Sequence, residues 1–72
     1  AVLSEAYRAL GVTEQVGDKE LKRAYRKLMS QYHPDKMIAK GVPKDMLEMA
    51  TEKTQEIQAA YEVITKSRKA QS

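Results

Sequence analysis

Cysteine, tryptophan and phenylalanine are absent from this 72-residue chain, and histidine occurs once. Without cysteine there is no disulfide and no thiolate metal site, and a lone histidine is far short of a ligand set, so we expect no metal or other cofactor. Catalytic apparatus is missing too. No glycine-rich phosphate loop or oxyanion-hole motif is present, and the serine nearest the histidine, Ser30, falls on the far arc of the preceding helix. No apolar run approaches the ~20 residues of a membrane span, and no secretory signal pattern is visible. The chain begins at Ala1 rather than methionine, so we expect a piece of a longer protein whose anchor could lie elsewhere. With three glycines and two prolines, there are few places for a helix to be interrupted. Repeats, low-complexity tracts and strand-like alternation are all missing.

What remains is helical periodicity in one small domain. A chain of this size buries only about 60% of its unfolded surface. Leu3, Ala6, Tyr7 and Leu10 form one apolar stripe, with Ser4 placed as N-cap and Gly11 as the C-terminal stop. Asp18 is placed to cap a second helix over Lys19 to Tyr32. In that helix Leu21, Ala24, Tyr25, Leu28, Met29 and Tyr32 share one arc at 100° per residue. A loop from Asp35 to Val42 follows, and then a third helix from Pro43 to Thr65. Its stripe is Met46, Ala50, Ile57, Ala60, Tyr61 and Ile64, with Lys53 and Thr54 in the middle turn. Residues 66–72 carry no apolar pattern and are expected to fray. The fold expected is all-α, with two long antiparallel helices and a short one laid across them. Its core would be Tyr7, Leu10, Leu21, Tyr25, Leu28, Ile57, Tyr61 and Ile64.

Charge is distributed unevenly. The net charge is only +3, yet Lys19, Lys22, Arg23, Arg26 and Lys27 crowd the second helix against one acid, Glu20. The third helix instead carries Asp45, Glu48, Glu52, Glu56 and Glu62. A local cationic face favours a partner with a local acidic patch. Directly after it comes Tyr32-His33-Pro34-Asp35-Lys36, in which Pro34 fixes φ near about −65° and biases His33 away from the helix. Two function classes stay open on these residues: a protein-docking module, or a basic three-helix nucleic-acid binder. The cationic face lacks the Asn and Gln side chains that read adenine and has no interleaved aromatic, and the acids of the third helix would repel phosphate.

Four motifs stand in order and resemble the J domain of DnaJ-type co-chaperones. They are Tyr7-Arg8-Ala9-Leu10-Gly11-Val12, the Leu21 to Leu28 segment, His33-Pro34-Asp35, and the Glu56 to Ile64 segment. The similarity covers about residues 4–66, so 1–66 would be the J domain and 67–72 a frayed tail, with the family's fourth helix absent or frayed. The long connector from Lys36 to Pro43 is similar to that of a membrane-anchored DnaJ-like subfamily, whose J domain faces the bacterial cytoplasm. Thr54 stands where many J domains have a core phenylalanine. The resemblance implies a binding protein, not an enzyme. It would dock on a DnaK-class chaperone and stimulate its ATP hydrolysis, using Lys22, Arg23, Tyr25, Arg26, Lys27, His33, Pro34, Asp35 and Lys36. No nucleic acid is implied, and a membrane only through a segment outside this chain.

Overall fold

A computed structural model describes residues 2–71. Four helices account for most of it: α1 over Val2–Ala9, α2 over Asp18–Gln31, α3 over Pro34–Ala39 and α4 over Lys44–Gln71. The all-helical expectation is met, and no strand occurs among the described residues.

Three cross-helix contacts establish how α2 and α4 run. Asp18 meets Arg68 at 2.6 Å, Tyr25 stacks on Tyr61 with ring centroids 4.1 Å apart, and the Thr54 hydroxyl donates to the Tyr32 carbonyl at 3.3 Å. Each step of seven residues forward along α2 is matched by seven backward along α4. The two helices are therefore antiparallel, meeting every second turn as in a coiled-coil seam.

The third layer is α1, which lies mainly against α4 rather than across both long helices. Ala6, Tyr7 and Leu10 pack with Leu21, Ile57, Ala60 and Ile64 in one core, where Ile57 and Ile64 have no exposed surface. Full burial of each isoleucine stabilises the fold by about 1.5–3 kcal/mol. Tyr25, Leu28 and Tyr61, expected inside, are half-buried at the margin of this core. Met46 departs further, being 57% exposed. With only eight residues, α1 covers the second half of α4; in the first half Ala50 is buried while Met46 and Met49 stand exposed.

Two identical stops shape the connections. At the end of α1 the Gly11 N–H donates to Arg8 O and the Val12 N–H to Tyr7 O; at the end of α3 the Gly41 N–H donates to Ile38 O and the Val42 N–H to Met37 O. Both glycines take the left-handed conformation this Schellman arrangement needs, with φ of 70° and 75°. Gly11 thus stops its helix as expected.

Several boundaries need correction. Ser4 lies inside α1, not at its cap. Gly17 caps α2, and Asp18 is its first residue, with no side-chain capping bond. The stretch expected as a loop contains α3, whose signals were Pro34 at the first helical position and Gly41 after the end. α4 starts at Lys44, one residue past the expected Pro43.

The largest correction concerns the tail. Residues 66–71 do not fray but continue α4, because Arg68 ties them down. Its Nε donates to the Tyr7 hydroxyl at 3.1 Å, Nη1 to Asp18 Oδ1 at 2.6 Å and Nη2 to the Val16 carbonyl at 2.6 Å. The guanidinium carbon also lies 5.5 Å from the Tyr7 ring centroid. One side chain thus joins α1, the α1–α2 connector, α2 and α4. The hydrogen bond with Tyr7, then that with Asp18, holds the Arg68 guanidinium above its ordinary pKa. No separate helix follows α4 among the described residues, and the final Ser72 lies outside them.

Candidate functional site

The cationic arc emerges on the exposed side of α2, where Lys19, Lys22, Arg23, Arg26 and Lys27 line one shallow surface depression. Leu21 anchors the helix from beneath, 2% exposed, while Tyr25 and Leu28 seat its other turns against the core. Burying that arc is what presents the opposite one to solvent. Arg23 to Glu20 at 3.7 Å is the one ion pair on the arc among the described residues, and both side chains are well exposed. Exposed pairs of this kind contribute little to stability. The remaining cations repel one another and leave a field that an acidic partner would relieve.

At the far end of α2 the backbone turns sharply. Tyr32 closes the helix with its N–H on Leu28 O, and His33 switches to an extended conformation, φ −65° and ψ 126°. Pro34 enforces that switch and begins α3. The His33 ring then caps α3, with Nδ1 accepting the Asp35 N–H at 3.3 Å. Accepting that bond uses the Nδ1 lone pair. The Asp35 carboxylate lies 3.9 Å from Nδ1 and is 87% exposed.

Lys36 links this tip to the arc, with Nζ donating to Ser30 Oγ at 2.7 Å. Cations consequently run along one edge from Lys19 past the turn to Lys36. Thr54 secures the same corner from α4. Its hydroxyl reaches Ala50 O at 2.9 Å and the Tyr32 carbonyl, one of the groups a helix end leaves without an internal partner. A phenylalanine at this position would have no such bond to offer.

Placement of the expected residues divides in two. Lys22, Arg23, Arg26, Lys27, His33, Pro34, Asp35 and Lys36 are all exposed along the edge. Tyr25 is half-buried and engaged face-to-face with Tyr61 at an interplanar angle of 14°. It supports the arc more than it presents a contact. Sequence reasoning set aside Lys19, which lies in the same depression, and it missed Arg68. A charged residue in a stretch with no apolar stripe gives no periodic signal, so nothing local marked it.

No group of acids and histidine that could hold a metal occurs among the described residues. Nor is any helix there long and apolar enough to cross a membrane.

Comparison with known proteins places the chain in a family. The family model described as DnaJ domain matches residues 5–72. Among curated proteins, the chain is 58% identical over 66 residues to the "Co-chaperone protein DjlA" of Haemophilus influenzae, covering 92% of the chain and 23% of that protein. It is 56% identical over 68 residues to the protein of the same name from Coxiella burnetii, covering 94% of the chain and 25% of that protein. The chain thus spans about a quarter of the length of these relatives. No solved structure matches.

Proposed function

This chain belongs to the DnaJ domain family, and from that premise we propose that it is the J domain of a co-chaperone that docks on a DnaK-class, Hsp70-kind chaperone. It stimulates the partner's ATP hydrolysis and so promotes the capture and folding of client proteins. The chain itself is not the enzyme in this scheme. Its work is recognition.

The observation that carries the reading is the union of arc and tip on one exposed edge. Lys22, Arg23, Arg26 and Lys27 would steer the encounter with an acidic surface, a long-range attraction that salt weakens. Asp35 is available for a charge-assisted hydrogen bond, for which the family resemblance supplies an arginine on the partner. The His33 cap and Pro34 hold the Asp35 backbone in place before contact, which lowers the cost of ordering the tip on binding. The exposed acids of α4 disfavour the nucleic-acid alternative. In the full-length protein we place the domain on the cytoplasmic face of the bacterial inner membrane, by analogy with the anchored subfamily.

The test is steady-state ATP turnover by a DnaK-class chaperone with this domain, beside the same assay with His33→Gln. We expect stimulation by the natural chain and loss of it in the variant, with helical circular dichroism unchanged. Equal stimulation by the two would overturn the assignment of the tip.

A further inference from the structure

Large apolar side chains left in solvent are few here, and two of them, Met46 and Met49, line one groove. Ile38, Met46 and Met49 are 61%, 57% and 68% exposed, and among the described residues Val2 is the one other large hydrophobic side chain left exposed. Met37, Val42, Met46 and Met49, with Tyr32, Ala50 and the ion-paired Lys53, line an open groove of about 350 Å³ between α3 and the start of α4. That volume is at the low end for a binding cleft and suits one or two bulky side chains. Clustered exposed apolar surface of this kind marks a contact site more often than scattered residues do.

The way α4 is covered says what shape fits. At 100° per residue, Met46, Met49 and Lys53 share the face of Ile57, Ala60 and Ile64. In the second half of the helix that face is covered by α1, through Ala6, Tyr7 and Leu10. In the first half Ala50 is buried, but Met46 and Met49 on the same face stand in solvent. The missing piece is therefore another amphipathic helix, continuing the layer that α1 begins.

Charge says which helix. Asp45, Glu48, Glu52 and Glu56 occupy the adjoining strip of α4, all exposed. Among the described residues, the one ion pair in that strip is Lys53 to Glu56 at 3.8 Å. An acidic rim beside a methionine-lined groove complements a helix whose apolar face is flanked by lysine or arginine, and the unbranched methionines adapt to varied side chains. We propose that this groove binds a basic amphipathic helix of another protein, at a surface separate from the cationic edge assigned to the chaperone.

The test uses two synthetic amphipathic peptides of about 18 residues, long enough to hold a helix. One is built of leucine and lysine, the other of leucine and glutamate. Each is titrated into the chain while the methionine methyl signals are followed by NMR. The Leu/Lys peptide should shift Met37, Met46 and Met49, leave half-buried Met29 in place, and bind more weakly as salt rises. In a Met46→Ser, Met49→Ser double variant, affinity should fall about tenfold or more. The melting temperature should hardly change, since both side chains are already exposed. Equal binding of the Leu/Glu peptide, no methyl shifts, or undiminished affinity of the double variant would each overturn the proposal. So would sedimentation showing that a second copy of the chain fills the groove.

Discussion

The two ends of the α2–α4 hairpin are built on different principles. At the end where α2 begins, Arg68 draws together Tyr7, Val16 and Asp18, and Tyr7 beneath it is 6% exposed. At the end where α2 stops, the bonds are a Thr54 hydroxyl, a histidine cap and an exposed lysine on a serine. No residue of α3 is buried. One end is held by a convergent charged network, the other by single bonds around polar groups that face water. The contrast separates two tasks. The clasp fixes where the cationic arc starts, while the tip keeps His33 and Asp35 available. Burying the tip to gain stability would remove the very groups the proposed docking uses.

Substitutions along the hairpin can break or sharpen this contrast. Arg68→Ala should have the largest effect on stability, about 2 kcal/mol or roughly 10 °C in melting temperature, because it leaves the Tyr7 hydroxyl and the Val16 carbonyl without their partner. Calorimetry would check it, and a loss confined to a degree or two would show that the clasp is ornamental. Because the folded-state pKa of Arg68 is raised, its contribution is complete below the ordinary guanidinium range and is lost only as strongly alkaline pH passes the folded value. The difference between natural and variant proteins should accordingly be flat from about pH 6 to pH 9. Thr54→Val keeps the shape of the side chain and removes its hydroxyl. About 1 kcal/mol should be lost, read by urea denaturation, with the Tyr32 carbonyl left to water. The smallest change belongs to the tip. His33→Gln should alter stability by no more than about 0.5 kcal/mol, even as it removes ATPase stimulation. A large drop in melting temperature there would mean that the tip, like the clasp, is structural.

How much of this was legible depends on the range of the signal. The arc of α2 was readable because its burial pattern repeats every turn, so each of Leu21, Tyr25 and Leu28 reports on the same face. Gly11 was readable because only a residue without a Cβ enters its conformation freely. The same stop recurs at Gly41-Val42, and with Pro34 at the start it frames α3, yet six residues are too few to show a period. Met46 fell on the expected stripe and still lies in solvent, since the stripe cannot say where α1 will end. Arg68 carried no signal. Its partners are 50, 52 and 61 residues away, and the distance closes only when the hairpin has formed.

By itself the sequence determined the three amphipathic segments, the turn imposed by His33-Pro34 and the charge of each face. Those follow from local sterics and from side chains a few residues apart. Tertiary structure alone decided which part of α4 is covered, that its last residues stay helical, and that a methionine groove stands open beside an acidic strip. These depend on the lengths of neighbouring helices and on contacts between residues far apart in the chain, which no local pattern encodes.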